Sequence, residues 1–444
     1  MTQYGYADKG FRIEAIWTTD AAGTPRSEFL PGEALRCFVS FQILEPVEGT
    51  VSVRLRIFGD GWNETFTQTA RGGVGSRMVV FGGDSPMHVS FNAGKGKVTL
   101  RVTMDAQEGQ SSTHGRSHVY IRATCEPGNF PKQYLGSIEV APQPYDMALT
   151  LDDRYLYVTT NVDRRIEVID TALFEVVKVI QDPEQIGEPR GITLNGDGSE
   201  MLVSDYATGR IHVISTATHQ WLEGVTVTNR KGLSGIAFNR IKNELYVLDF
   251  SNSSLIICNG FTYEFEDEIF LVGNGLGSVG LHPLDVRIDP SGSWAYILCQ
   301  FYGTVAKVDL YQSKVVAWNM DPGPESMGMD LSPDGKSVYV VHPNLDMSPS
   351  SYVYAFNTTD LSPIRSFPVR NFIWDLVVSP DGRYAYAADS SSGEVVVIDL
   401  VNGEVLTHCA VPIGYGGKIL QPSHLWTKLF VGRWAPGYVD VVGW

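Results

Sequence analysis

The sequence is short of the patterns on which several protein classes depend. Its 444 residues include only five cysteines, none of them in a C-x-x-C pair, so a zinc ribbon or a thioredoxin-type redox centre is not indicated. An odd number of widely spaced cysteines is typical of reduced thiols. The chain has no apolar run of 18 residues, no sustained heptad and no Gly-X-Y period, which argues against membrane-spanning helices, coiled coil and collagen.

Basic side chains are also scarce. There are 34 Lys and Arg against 50 Asp and Glu, which gives a net charge of −16. Because so acidic a chain repels phosphate backbones and anionic lipid, we expect neither nucleic acid nor a membrane as a partner. The first residues, MTQYGYADKG, lack a basic segment followed by an apolar one. We therefore expect a cytoplasmic protein, with a secretory signal removed earlier as the alternative.

The familiar catalytic signatures are missing as well. Neither G-x-S-x-G nor H-E-x-x-H occurs, and the glycines at 273, 275 and 277 precede no helical pattern, so no phosphate-binding loop is indicated. We predict no organic cofactor and no transition-metal site, since the repeats described next contain no short-range ligand spacing. Calcium or magnesium held by aspartates and backbone oxygens stays open.

What the sequence does contain is a repeat. From about residue 144, an apolar strand, a turn rich in Asp, Gly or Pro, and two or three further strands recur every 43 to 50 residues. Each second strand carries one large anchor residue, and the seven anchors are Tyr157, Leu202, Tyr246, Tyr296, Tyr339, Tyr386 and Phe430. Asp-Gly and Pro-Asp-Gly turns between apolar strands are typical of hairpins. Four antiparallel strands per unit, repeated radially, predict a seven-bladed β-propeller.

The ends of the repeat predict how the ring closes. The last unit supplies only three strands, near 417–421, 428–433 and 438–444. Its missing outer strand is available upstream of the first full unit, at 135–140. We therefore predict that this early strand completes the last blade, and that the propeller occupies residues 131–444.

Several repeat phrases resemble those of a known family. Leu156-Tyr157-Val158-Thr159-Thr160-Asn161 and the two turns Ser332-Pro333-Asp334-Gly335 and Ser379-Pro380-Asp381-Gly382 are similar to the YVTN-type β-propeller repeat. The resemblance covers roughly residues 134–444 and implies a propeller. Similar propellers include lactonases, lyases, electron-transfer subunits, surface-layer proteins and pure scaffolds, so the resemblance does not assign a reaction.

Residues 1–130 lack the repeat but also favour strands. Apolar alternation predicts strands at 11–17, 35–43, 50–58, 77–81, 97–103 and 118–124. Six or seven strands in this length predict a β-sandwich of Ig-like or jelly-roll type, so that the whole chain is all-β. This segment holds 13 basic and 13 acidic residues, so the entire net charge falls on residues 131–444. We interpret that charge as a solvated acidic surface.

The repeat also predicts where a site would form. In a propeller, the inner strands begin and the second strands end on one face around the central channel, where loops of several blades meet. Asp146, Asp285 and Asp375 share one repeat position there, and we expect them to bond to backbone NH groups. The predicted catalytic residues are His282, His342, Arg190 and Arg433. The predicted substrate-binding residues are Tyr145, Asp205, Asp249, Tyr302, Trp374 and Trp434.

These residues suggest a small-molecule site. The arginines would stabilise an anionic group, a histidine would move protons, and Trp374 with Tyr302 would shape the pocket. The hypothesis is therefore cofactor-independent acid–base chemistry of the lyase, cyclase, isomerase or lactone-hydrolase type on a small organic molecule. Each histidine taken alone could instead be an ordinary loop residue bonded to a carbonyl. The alternative function is a non-catalytic scaffold; the sequence predicts no oligomeric state.

Overall fold

The computed structural model describes strands and loops and, within the described residues, no helix. It describes residues 131–444 apart from 132, 272–280, 344–350, 371, 407–410 and 425, and in the first 130 residues it describes the strands. Within this described part of the chain, no helix is long and apolar enough to cross a membrane.

The strands of the first 130 residues form two antiparallel sheets. The nine strands, β1 to β9, are Tyr6–Asp8, Phe11–Asp20, Ala34–Ile43, Thr50–Gly59, Trp62–Arg71, Gly75–Phe81, Met87–His88, Thr99–Ala106 and Thr113–His114. One sheet has the order β1-β2-β3-β6, with β7 also paired to β3, and the other has the order β5-β4-β8-β9.

Most of the strands predicted for this region are present, and one was missed. The sequence analysis did not predict β5, because its alternation of Trp, Glu, Phe, Gln and Ala with Thr and Asn carries little apolar contrast. The strand predicted at 118–124 lies outside the described residues. The packing of the two sheets into a sandwich stays a prediction.

Seven four-stranded antiparallel units follow. Their inner, second, third and outer strands, β11 to β33 in chain order for the first units, are Pro144–Leu149, Tyr155–Thr160, Arg165–Asp170 and Glu175–Ile180; Pro189–Leu194, Glu200–Asp205, Arg210–Ser215 and Trp221–Thr226; Leu233–Asn239, Glu244–Asp249, Ser254–Asn259 and Phe265–Phe270; Pro283–Ile288, Trp294–Cys299, Thr304–Asp309 and Lys314–Asn319; Gly328–Leu331, Ser337–His342, Tyr352–Asn357 and Pro363–Pro368; and Ile373–Val378, Tyr384–Asp389 and Glu394–Asp399. The outer edge of the sixth unit is formed by two short strands, β34 (Glu404–Val405) and β35 (Val411–Pro412), both paired with β33.

The last blade confirms the predicted closure of the ring. It consists of β36 (Gly417–Pro422), β37 (Lys428–Arg433), β38 (Tyr438–Gly443) and the upstream strand β10 (Gln133–Glu139). Strand β10 pairs antiparallel with β38, so a segment that precedes the first blade forms the outer edge of the seventh. Each inner strand contacts the next one, and the seventh contacts the first. The chain is therefore a closed seven-bladed propeller, as the repeat predicted.

Local chemistry explains the blades. Third strands such as Glu394–Asp399 are buried almost throughout, whereas outer strands such as Glu175–Ile180 are mostly exposed. The hairpin turns at Gly335 and Gly382 need positive φ (67° and 69°), which glycine adopts without steric cost. In both turns the preceding Ser–Pro–Asp fixes the chain through a hydrogen bond from the serine hydroxyl to the aspartate.

The seven anchor residues form the core between neighbouring blades. Tyr157, Leu202, Tyr246 and Phe430 are fully buried, and the other three anchors are at most 8% exposed. Tyr246, for example, packs in one cluster with side chains of the fourth blade. Burying such a side chain stabilises the fold by about 1.5–3 kcal/mol, so the anchors hold each blade against the next and keep the channel open at the centre.

Candidate functional site

A cavity of about 770 Å³ runs along the centre of the ring. Its walls are the inner strands of the blades and the loops at their ends. At the end where the inner strands begin, the wall includes Tyr145, Arg190, Trp374, Lys418 and Trp434. Four of these five residues were predicted site residues. We call this end the channel mouth.

The channel mouth is asymmetric. One residue of each inner strand occupies the same repeat position there, and from blade 1 to blade 7 these residues are Tyr145, Arg190, Ser234, Leu284, Met327, Trp374 and Lys418. The four that belong to blades 6, 7, 1 and 2 are aromatic or cationic and lie next to one another around the ring. The three of blades 3, 4 and 5 are small or apolar. Polar recognition is therefore concentrated on one half of the mouth.

Arg190 lies in an aromatic enclosure. Its guanidinium carbon is 3.6 Å from the ring centre of Tyr206, 5.2 Å from that of Tyr145 and 5.8 Å from that of Phe250. Its Nη2 is 2.8 Å from a carboxylate oxygen of Glu188. Ring faces attract the guanidinium, and Glu188 compensates part of its charge. The side chain is only 15% exposed, so it is held in place at the cavity wall.

His282 and Tyr302 continue this aromatic enclosure away from the cavity. The imidazole of His282 stacks on Phe250, with ring centres 4.4 Å apart, and meets the edge of Phe301 at 5.5 Å. Phe301 in turn meets Tyr302 at 5.0 Å. The structure thus brings Tyr145, Arg190, His282 and Tyr302 into one row, but the last two are not among the residues that line the cavity.

Lys418 occupies a second enclosure, formed by two indoles. Its Nζ is 3.8 Å from the ring centre of Trp374 and 3.1 Å from that of Trp434. No carboxylate of the described residues forms an ion pair with it. Burial lowers the pKa of Lys418 to about 8, since an apolar surrounding disfavours the ammonium form. The sequence analysis named both tryptophans but did not include this lysine in the site, although it departs from the repeat just as Arg190 does.

Deeper in the channel, four carboxyl groups share one arginine. Arg287 of the fourth blade lies 3.0 Å from Asp285 through Nη1 and 3.7 Å from Asp330 through Nε, and it also donates to the carbonyl of Met329. The charges of Asp375 and Asp146 act on it as well. One positive charge among four carboxyl groups leaves an excess of acid in the channel centre. The sequence analysis missed the role of Arg287, which sits inside a strand rather than at its end.

Their backbone hydrogen bonds explain why these aspartates recur. Asp146 accepts hydrogen bonds from the NH of Met147 and, in the next blade, from that of Ile192. Asp375 does the same with the NH of Leu376 and that of Leu420 in the last blade. Each aspartate therefore ties one inner strand to the next, which confirms the expectation that they bond to backbone NH groups.

The same position gives these aspartates unusual protonation behaviour. Burial raises the pKa of Asp146 to about 6 and that of Asp375 to about 8, although the hydrogen bonds and Arg287 oppose the shift. Burial likewise raises the pKa of Asp285 and Asp330. Asp375 is therefore mostly protonated at neutral pH and is able to donate a proton inside the cavity.

Asp205 and Asp249 lie inside their blades and not in the channel. Both side chains are fully buried. Asp205 accepts hydrogen bonds from four backbone NH groups and from Nε2 of His212, and Asp249 binds the backbone and side chain of Asn252. These predicted binding residues organise the turns that follow the second strands.

The structure does not bring Arg433 or His342 to the cavity wall either. Arg433 is 2.8 Å from the buried carboxylate of Asp440 through Nε and lies over the ring of Tyr438. His342 ends its strand opposite Tyr352, and the long loop after it falls at residues outside the described range. The two predicted histidines thus do not converge with the two predicted arginines, because they leave the ring at different blades and heights. Within the described residues, no group of three His, Cys, Asp or Glu is arranged to hold a metal ion.

The fold defines the chain as a seven-bladed β-propeller. No family model and no curated protein matches it. Among solved structures it is similar to Kuenenia stuttgartiensis hydrazine synthase, with a TM-score of 0.58 and 15% sequence identity over 73% of this chain and 99% of that chain. At this identity the likeness shows the fold alone, and membership of the YVTN-type family stays a prediction.

Proposed function

We propose that the channel mouth binds a small organic acid and that carboxyl groups in the channel act on it by acid–base chemistry without an organic cofactor. The observation that carries the proposal is the asymmetric half-ring, in which Arg190 and Lys418 lie in aromatic enclosures on the wall of one cavity. Reactions of the lyase, cyclase, isomerase or lactone-hydrolase type fit such groups.

Size and charge both support this ligand class. A cavity of about 770 Å³ lies within the range of about 300–1,000 Å³ that is typical of pockets for organic molecules. Flat indole and phenol rings suit the carbon skeleton of a ligand. In a protein with a net charge of −16, two cations near one mouth favour a carboxylate there.

The proton-transfer role fits Asp375 and Asp146 better than the histidines. Both aspartates line the cavity, whereas His282 and His342 do not. A carboxyl group whose pKa is raised to about 8 retains its proton at neutral pH and serves as a general acid, while Asp146, with a pKa of about 6, is mostly ionised and serves as a base.

The test compares acids with uncharged analogues. Benzoate and benzamide, together with short-chain carboxylates and their amides, are titrated into the full chain by ligand-observed NMR. We expect the acids to bind, and Arg190→Met to weaken them about tenfold, because a charge-assisted contact is lost. Arg383→Met, which removes an exposed arginine outside the channel, is the matched control. If no acid binds, or if both variants bind it as the wild type does, the proposed site is wrong.

The scaffold alternative makes the opposite prediction for this experiment, since a scaffold leaves the channel without a ligand. For the first 130 residues, we propose a β-sandwich of Ig-like or jelly-roll type. Two antiparallel sheets in this segment are what such a fold requires.

A further inference from the structure

Lys418 differs from the other lysines of the structure in what surrounds its amine. The closest comparison is Lys307, which also lies on an indole, with its Nζ 3.9 Å from the ring centre of Trp294. Lys307 donates a hydrogen bond to the carbonyl of Thr359 and is away from the cavity. Lys418 lines the cavity between two indoles. Its amine is therefore the one that a molecule in the channel would meet.

We propose that Lys418 is a nucleophile that forms an imine with an aldehyde or ketone bound in the channel. The proposal rests on the proposed function, because it names the carbonyl-containing acids as the class of ligand for the same cavity. It assigns a reacting group to a residue that non-covalent binding would use only as a charge.

The chemistry requires a neutral amine, and the surroundings supply one. Two effects act on Nζ: the indole faces stabilise the ammonium, whereas burial without a carboxylate partner destabilises it. With a pKa of about 8, about a tenth of the amine is neutral at pH 7, against less than about a thousandth for an ordinary lysine. Rigid rings on both sides also hold the amine at the cavity wall.

The steps balance without any further reactant. The lone pair of Nζ forms a bond to the carbonyl carbon, and the carbonyl oxygen takes up a proton to give a carbinolamine. The hydroxyl group then leaves as water with a second proton, and the nitrogen closes the carbon–nitrogen double bond. Overall, one amine and one carbonyl group give one imine and one water molecule.

Asp375 is placed to supply the proton for the departing hydroxyl group. It accepts a hydrogen bond from the NH of Leu420, on the strand that carries Lys418, at 3.0 Å, and it follows Trp374 in the chain. The other titratable and charged groups in the channel are Asp146 on the neighbouring first blade and, deeper, Asp285, Asp330 and Arg287.

Arg190 suggests which carbonyl compounds fit. It occupies the same repeat position as Lys418 two blades further round, with Tyr145 between them. A molecule that carries a carboxylate at one end and a carbonyl group at the other would use both residues. An oxo acid or an aldehyde acid is therefore the expected class.

The experiment traps the imine in the full chain. The protein is incubated with 4-carboxybenzaldehyde and sodium cyanoborohydride at pH 7.5, so that hydride reduces any imine to a stable secondary amine, and labelled peptides are quantified by mass spectrometry over time. We expect Lys418 to be labelled at least about tenfold faster than the exposed Lys336, because more of its amine is neutral. Lys307 is the control for an indole contact outside the cavity.

Variants separate this proposal from the proposed function. Lys418→Arg keeps a cation between the indoles but forms no imine, so the fast label should disappear while benzoate still binds. Arg190→Met should slow labelling by 4-carboxybenzaldehyde but not by benzaldehyde. If Lys418 is labelled no faster than Lys336 while benzoate binds through Arg190, the imine proposal alone is overturned. If benzoate also fails to bind, both proposals are overturned.

Discussion

Two groups of aspartates in this propeller have the same side chain and opposite electrostatic behaviour. In the turns after the second strands, Asp205 is fully buried and its pKa is lowered to about 2. On the channel wall, Asp375 is partly buried and its pKa is raised to about 8. The comparison shows that burial does not by itself decide whether a carboxyl group is charged.

The number of donors explains the difference. Burial alone would raise the pKa of Asp205, but Nε2 of His212 and the NH groups of Gly187, Glu188, Ala207 and Thr208 all donate to it at 2.6–3.0 Å. Five donors stabilise the carboxylate. Asp375 accepts only two backbone NH groups and faces other carboxyl groups that share Arg287 with it. The turns therefore hold fixed charges, and the channel holds protons that can be exchanged.

The strongest test of this comparison removes the turn carboxylate. We expect Asp205→Ala to destabilise the fold by about 3–5 kcal/mol, because it leaves His212 and four NH groups buried without their acceptor. Denaturant unfolding measures the loss. Asp334→Ala, at an exposed hairpin turn, is the control and should cost about 0.5 kcal/mol. Comparable losses in the two variants would show that the five donors do not stabilise Asp205 as described.

The same variant predicts a change in acid sensitivity. The folded pKa of Asp205, about 2, lies below its ordinary value of 3.8, so its stabilisation is complete above about pH 4 and is lost as the pH falls towards 2. The wild type should lose about 2 kcal/mol over this range from Asp205, and the Asp205→Ala variant should not.

A second, smaller effect is expected in the channel. Arg287→Met removes the one positive charge among four carboxyl groups and should destabilise the fold by about 2 kcal/mol at pH 8, which is less than for a dry ion pair because the channel admits water. At pH 5 the loss should be smaller, since protonated carboxyl groups need no counter-charge. Unfolding at both pH values measures this, and an equal loss at pH 5 and pH 8 would contradict the raised pKa values.

The smallest effect is a change of slope. The folded pKa of Asp375, about 8, exceeds its ordinary value of 3.8, so the stability it contributes is fully present below about pH 4 and is lost as the pH rises through 8. Asp375→Asn cannot ionise. The fall in unfolding free energy from pH 5 to pH 9 should therefore be about 1–2 kcal/mol smaller than in the wild type, a value discounted for solvent in the channel. Parallel curves for the two proteins would disprove the assignment.

The sequence by itself determined the architecture of residues 131–444. Anchors such as Tyr157 and Phe430, turns such as Ser379-Pro380-Asp381-Gly382, and a last unit one strand short are local signals, because each depends on a few neighbouring residues and on alternation between a buried and an exposed face. These signals are sufficient to predict seven blades, the closing strand and the backbone bonding of Asp146 and Asp375.

Only the tertiary structure decided which side chains meet in the channel. Repeat positions predicted that Arg190, Trp374 and Trp434 would lie at the mouth, but they gave no reason to separate Asp205 from Asp375, or His342 from Lys418. Whether a residue at a strand end turns into the channel, into its own blade or along the rim depends on the neighbouring blades, which lie some 45 residues away in the chain. That contact is set by ring closure, so a pattern within one repeat does not contain it.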